Sequence, residues 1–170
     1  NLAFGVMDKK VVEAMIINPL DRITWSERLA AHSEVYSIQI KQELARGLIQ
    51  GDGYAKIAAK ITEKTKLTAE KTIRIVRTEG HRVQSTARLV ATDNVAGAAE
   101  RLGYTMVRVW VAAKDDRTRS SHAEMDGKEA DDDGQFTLPD GVRCDAPGLT
   151  GVAEHDINCR CTVITEIKGG

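Results

Sequence analysis

The sequence has few aromatic residues, few prolines and only three cysteines in 170 residues. With seven aromatic side chains available, the core must be largely aliphatic. An odd, sparse cysteine count argues against a disulfide scaffold and leaves metal binding or buried free thiols as explanations. No apolar run approaches the roughly 18 residues that a membrane span needs, and no signal peptide is recognisable. We therefore predict a protein without membrane contact, and from its start at Asn1 we expect a fragment or a processed product.

Charge divides the chain into two parts, although the net charge is only −1. Residues 1–113 contain 17 basic and 12 acidic residues, a net charge of +5, whereas residues 114–170 contain 7 and 13, a net charge of −6. All three cysteines lie in the second part. We place the boundary near Gly103, and predict a net basic helical region over 1–103 and an acidic, Cys/His-bearing, β-rich module over 104–170.

Three helices are predicted in the first region. A capping box opens the first, which runs over residues 24–51, and a shorter helix follows over residues 54–63. Thr68 is the N-cap of the third, whose apolar residues recur every three or four positions over residues 73–90. The alanine-rich segment 95–102 is also compatible with a helix.

A strip of basic residues accompanies the apolar face of the third helix: Arg74, Arg77, His81 and Arg88. Basic strips are common on solvated helix faces and then have no further role. Closely spaced cations are also what phosphate binding requires, so Arg74, Arg77 and Arg88 are candidate contacts for nucleic acid or an acidic partner. The sequence leaves both interpretations open.

Two strands are predicted in the second region. Apolar and polar residues alternate from Tyr104 to Ala112, and an apolar segment covers Thr162 to Ile167. We expect the two to pair, because each would otherwise leave an apolar edge unpaired. The predicted fold class is therefore α+β, with an N-terminal helical region followed by a small, loop-rich antiparallel β module stapled by a metal.

The metal prediction depends on one histidine and three cysteines within 40 residues: His122, Cys144, Cys159 and Cys161. Imidazole nitrogen and thiolate sulfur are the ligands that zinc favours, and four of them close a tetrahedral structural site. His155 and Asp126 are substitute ligands. Alternatively, the thiols are small buried hydrophobes, or two of them pair. A catalytic zinc has less support, because the sequence lacks a His-Glu-x-x-His motif.

The order of three segments resembles the phage minor head proteins of the Mu F-like family, also called phage head morphogenesis proteins. The segments are IVRTE at residues 75–79, WVAAKDDRTRSSHAEMDG at 110–127 and NCRCT at 158–162. The resemblance implies a virion protein that associates with the portal and other head proteins. It further implies support of head assembly and DNA packaging or delivery, in the host cytoplasm and then in the virion, with DNA as a further partner.

The family's histidine and Cys-Arg-Cys pair correspond to His122, Cys159 and Cys161. Four neighbouring residues are then expected to form a hydrogen-bonded shell that orients His122: Asp115, Arg117, Arg119 and Asp126. Arg77 and Glu79 are either an ion pair or functional residues.

No motif in the sequence requires an enzyme, although an enzymatic alternative stays open. One form is a metal-dependent hydrolase or nuclease. The other is an ADP-ribosyltransferase, suggested by the Arg-Thr-Glu string and by the fusion of some family members to toxin domains, in which Glu79 would be required.

Overall fold

Helices come first and short strands later in the structure, a computed structural model that describes residues 34–168. The elements are α1 (Glu34–Ile49), α2 (Tyr54–Lys64), α3 (Ala69–Glu100), β1 (Thr105–Val111), α4 (Ser120–Ala123), β2 (Phe136–Thr137), β3 (Arg143–Cys144), α5 (Ala153–Asp156) and β4 (Thr162–Lys168). Helices with small antiparallel sheets confirm the α+β class. The predicted start of the first helix, residues 24–33, lies outside the described residues.

The chain folds as two compact units, one ending at Val83 and the other beginning at Gln84. The core of the first unit is aliphatic, as the small number of aromatics predicted: Ile40, Leu44, Ala45, Leu48, Ile57, Ala58, Ile61, Val76 and Val83. Helices α1 and α2 approach closely at Gly47, where an added Cβ would lie 2.4 Å from Cγ1 of Ile57. Only glycine permits that approach, because a methyl group there would overlap the isoleucine.

Helix α3 begins where the sequence predicted. The Thr68 hydroxyl accepts a hydrogen bond from the backbone N–H of Lys71 at 3.3 Å, as an N-cap residue does. The two predicted helical segments form one continuous helix of 32 residues. The chain leaves it through Gly103, which has φ of +82°. Within residues 34–168, no helix has the length and apolar character needed to cross a membrane.

The second unit is built on the predicted strand pair. Strands β1 and β4 are antiparallel, with Thr105 opposite Lys168 and Val111 opposite Thr162. A second sheet of two-residue strands places Phe136 opposite Cys144. The core contains two aromatic and three cysteine side chains among small and aliphatic ones: Leu89, Trp110, Ala112, Met125, Phe136, Leu138, Cys144, Ala146, Cys159, Cys161 and Val163.

The later part of α3 packs in this second unit. The Ser85 hydroxyl donates to the Pro147 carbonyl at 2.8 Å. The Arg88 guanidinium donates to the Thr162 hydroxyl and, at 3.4 Å, to the Val163 carbonyl. Gly103 is therefore where charge and secondary structure change, whereas the packing changes after Val83. The domain boundary predicted near Gly103 from charge and composition stays a prediction.

Candidate metal centre

Three of the four predicted ligands form a buried cluster of donor atoms. The donors of His122, Cys159 and Cys161 all lie within 4.8 Å of one another. Nδ1 of His122 is 3.7 Å from Sγ of Cys159 and 3.5 Å from Sγ of Cys161. Nitrogen and sulfur ligands on a tetrahedral zinc are separated by about 3.6 Å, given the usual metal–ligand lengths. Both nitrogen–sulfur distances therefore match those of a tetrahedral zinc site.

The strand pair brings these residues together. Val111 ends β1 opposite Thr162, the first residue of β4, so the loop after β1 starts beside the Cys-Arg-Cys segment. That loop leads into α4, where the backbone N–H of His122 donates to the Arg119 carbonyl at 3.0 Å. Asn158, with φ of +55°, turns the chain into the segment that carries both cysteines. Sequence-distant donors meet because antiparallel pairing places the two loops at one end of the sheet.

The two cysteines affect each other's pKa in opposite directions. The Cys159 thiol donates to the Cys161 sulfur, and together with the contact to His122 this lowers the pKa of Cys161. The same neighbour and burial raise the pKa of Cys159, because a second thiolate would lie against the first. Metals bind thiolates rather than thiols. The lowered pKa of Cys161 therefore favours the form of the ligand that a metal binds.

Cys144, the fourth predicted ligand, lies outside this cluster. Its side chain is buried on β3, and burial raises the pKa of its thiol to about 12. Among the described residues it makes no hydrogen bond with His122, Cys159 or Cys161. Its role as a ligand stays a prediction.

Asp115 connects the loop after β1 to the Cys-Arg-Cys segment. Its carboxylate accepts a hydrogen bond from Nη2 of Arg160 at 2.6 Å and one from the backbone N–H of Arg117 at 3.1 Å. Arg160, followed by that backbone group, holds the pKa of Asp115 far below its usual range. Nη2 of Arg119 adds a second connection by donating to the Ile157 carbonyl at 2.7 Å. These contacts fix the segments that carry the donors.

The other two members of the expected shell are further from the ring. Asp126 accepts hydrogen bonds from the backbone N–H of Ala112 and from Nζ of Lys114, both at 2.9 Å, and the side chain of Arg117 is exposed. Nε2 of His122 is buried without a hydrogen-bond partner in the part of the chain that the structure describes. The expected contact to this second nitrogen is therefore not observed, and the shell positions backbone segments instead.

His155 was predicted only as a substitute ligand. The residue is 4% exposed, and its ring is nearly parallel to that of His122, with centroids 5.5 Å apart. Nε2 of His155 lies 2.7 Å from Oδ2 of Asp140. Nδ1 is buried and has no hydrogen-bond partner among the described residues. The only signal in the sequence was its position four residues before Cys159.

The candidate basic contacts have different environments. Arg74 and Arg77 are exposed on the part of α3 that belongs to the first unit, with Arg74 Nη2 3.7 Å from Oε1 of Glu70. Arg88 belongs to the second unit and binds β4. Glu79 is only 3% exposed, and its Oε2 lies 3.7 Å from Nε of Arg82, so within the described part of the chain it pairs with Arg82 rather than with Arg77.

Comparison with known proteins adds a family and two relatives. The family described as phage Mu protein F like protein matches residues 38–164. The chain is 38% identical over 168 residues to "NAD(+)--arginine ADP-ribosyltransferase EFV" of Enterococcus faecalis (strain ATCC 700802 / V583), covering 99% of the chain and 34% of that relative. It is 34% identical over 169 residues to "Minor head protein GP7" of Bacillus phage SPP1, covering 99% of the chain and 53% of that relative. No solved structure matches.

Proposed function

Because the chain belongs to the phage Mu protein F like family, we propose that it acts as a minor head protein of a phage virion. The observation that carries the proposal is the 34% identity to a minor head protein, over an alignment that covers 99% of the chain. In this role it binds the portal protein and other head proteins, in the host cytoplasm during assembly and then in the virion. It supports head assembly and DNA packaging or delivery by binding rather than by catalysis.

We further propose a structural zinc ion in the second unit. The support is the spacing of the donors on His122, Cys159 and Cys161 and their burial. When bound, zinc with four protein ligands would stabilise loops that contain little regular structure. The protein would then present its binding surfaces on a rigid frame.

We also propose that the first unit contacts DNA through two exposed arginines on α3. Arg74 and Arg77 are exposed one helical turn apart, and among residues 34–168 the ion pair of Arg74 is a long contact to the exposed Glu70. Their replacement by glutamine should weaken DNA binding and reduce its salt dependence. Replacing Lys66 and Arg101, which are also exposed, removes the same charge and serves as the matched control.

The transferase alternative finds little support in the environment of Glu79. That side chain is buried beside Arg82, where a substrate has no access in this conformation. The chain spans about a third of the Enterococcus relative and about half of the phage relative, so the activity in the first name concerns a much longer protein. We therefore assign Glu79 a structural role in α3.

Co-expression with the portal protein encoded in the same genome tests the proposed function. Affinity capture of the full-length portal should retain this protein as a stoichiometric complex, and adding a strong chelator should weaken retention. A portal that retains none of it, together with NAD consumption that Glu79→Gln abolishes, would contradict the proposal in favour of the transferase.

A further inference from the structure

We propose that His155, rather than Cys144, is the fourth ligand of the zinc site, so that two cysteines and two histidines hold the metal. The inference rests on the structural zinc proposed above. It is drawn from three features of the second unit: the hydrogen bonding of the His155 ring, its distance from His122, and the surroundings of Cys144.

The hydrogen bonding of His155 resembles that of a metal-ligating histidine. A ligating histidine commonly donates its other ring N–H to a carboxylate, which fixes the tautomer and makes the free nitrogen more basic. Nε2 of His155 donates to Asp140 at 2.7 Å in this way. Nδ1 is then a lone-pair acceptor, and it is buried without a partner among residues 34–168. A zinc ion would satisfy it.

The distance between the two rings fits a shared metal. Two imidazoles on one tetrahedral zinc have ring centroids about 5 Å apart, given the usual Zn–N length. The His122 and His155 centroids are 5.5 Å apart. Nδ1 of His155 is not among the donors that all lie within 4.8 Å of one another, so binding requires the ring to move closer. Asp140 is about half exposed, and its Oδ1 also accepts a hydrogen bond from the backbone N–H of Val142 at 3.2 Å.

The backbone beneath His155 is fixed, which limits the movement to the side chain. The buried Asp156 carboxylate accepts hydrogen bonds from the backbone N–H groups of Thr150 and Gly151, both at 3.0 Å, and from the Thr150 hydroxyl at 2.8 Å. These bonds hold the turn that leads into α5. His155 is thereby presented to the cluster from a rigid support.

Cys144 offers no comparable contact. Its backbone is held in β3 by pairing with Phe136, and its sulfur accepts a hydrogen bond from the backbone N–H of Ala146. Cys144 shares a core with Cys159 and Cys161, but like His155 it is not among the donors that all lie within 4.8 Å of one another. The Cys144 sulfur therefore already has a hydrogen-bond partner, whereas Nδ1 of His155 has none among the described residues.

Competition titration with Zn²⁺ on the full chain tests this assignment. We expect Cys144→Ser to bind one zinc with an affinity within about twofold of the unmodified protein, whereas His155→Ala weakens binding by more than about 100-fold. Asp140→Asn should weaken it by about 10- to 100-fold, as loss of a ligand's carboxylate partner does. Circular dichroism of each variant reports whether it has folded.

A second measurement separates loss of a ligand from loss of the fold. With Co²⁺ in place of zinc, thiolate-to-cobalt charge-transfer absorption reports how many cysteines bind. Cys144→Ser should leave this absorption unchanged. His155→Cys should restore tight binding and raise the absorption by about half, because a third thiolate joins two.

The outcomes distinguish the inference from the proposal beneath it. One zinc in the unmodified protein that survives His155→Ala and is lost in Cys144→Ser would overturn the inference and leave the zinc site standing. An unmodified protein that binds no zinc would overturn both. Loss in His155→Ala, retention in Cys144→Ser and rescue by His155→Cys would establish the two-cysteine, two-histidine site.

Discussion

The two units of this protein are stabilised by different kinds of contact. The first has helices of 16 and 11 residues and the beginning of one of 32, around a core of aliphatic side chains. In the second, β2 and β3 have two residues each and α4 and α5 have four. Its core includes thiols, and imidazoles are buried beside them.

The difference shows where a metal has most effect. Long amphipathic helices bury enough apolar surface to be stable by packing alone. Elements of two to four residues have no stability of their own, so their arrangement depends on side-chain connections between loops. Four ligands on one ion provide such connections. We therefore expect the first unit to be indifferent to zinc and the second to depend on it.

Metal removal should have the largest effect on stability, and it should affect the second unit but not the first. With free zinc at about 1,000 times its dissociation constant, the ion contributes about 4 kcal/mol of stability, which chelation removes. Hydrogen exchange should show loss of protection at Trp110 and Val163, with protection at Leu44 and Ile61 unchanged. Equal loss in both units would show that they do not differ in this respect.

Leu44→Ala is the converse change in the first unit. Leu44 is fully buried, and truncating such a leucine costs about 2 to 5 kcal/mol because a cavity remains. Chemical denaturation should show the loss, while zinc content stays the same. Val35→Ala, at a position that is 61% exposed, is the matched control and should change stability by less than about 0.5 kcal/mol. Loss of zinc in Leu44→Ala would mean that the units are not separable.

Asp115→Asn should act through the metal with a smaller effect. The carboxylate holds Arg160, which lies between the two cysteine ligands, so its loss should weaken zinc binding by about tenfold. Competition titration measures this change. Asp116→Asn, at a neighbouring exposed carboxylate, is the control. Equal zinc affinity in both variants would remove Asp115 from the support of the site.

The smallest effect concerns Asp52 in the first unit. Lys56 and Lys60 bind its carboxylate at 2.6 and 2.8 Å and hold its pKa below the ordinary value. A lowered pKa contributes stability above the ordinary value of 3.8, which is lost as pH falls through the folded-state pKa. Asp52→Asn should therefore melt slightly below the unmodified protein at pH 7 and at the same temperature in strong acid. A difference independent of pH would contradict the assignment.

Much of the fold could be predicted from local pattern, because periodicity and capping are local properties. The repeat from Ile73 to Val90 and the N-cap at Thr68 predicted α3, and alternation around Val109 predicted β1. Strands of two residues have no period to detect, so β2 and β3 were not predicted. The division of α3 between the two units was also not predicted. Charge and composition change at Gly103, and they do not indicate where the packing changes.

The candidate site was predicted only in part, because the sequence shows which residues can bind a metal but not how far apart they lie. Ligand chemistry identified His122, Cys159 and Cys161, which the structure brings together. Choosing between Cys144 and His155 requires distances that sequence spacing does not contain. The burial of Glu79 beside Arg82 likewise depends on how the helices pack, and the Arg-Thr-Glu string alone could not indicate it.

The most direct test of a zinc-dependent second unit is the metal content of the protein purified without chelator, compared with that of Cys159→Ser. We predict about one zinc per chain in the unmodified protein and none in the variant, with loss of structure confined to the second unit. A folded protein that contains no metal, and whose three thiols all react freely, would contradict the account.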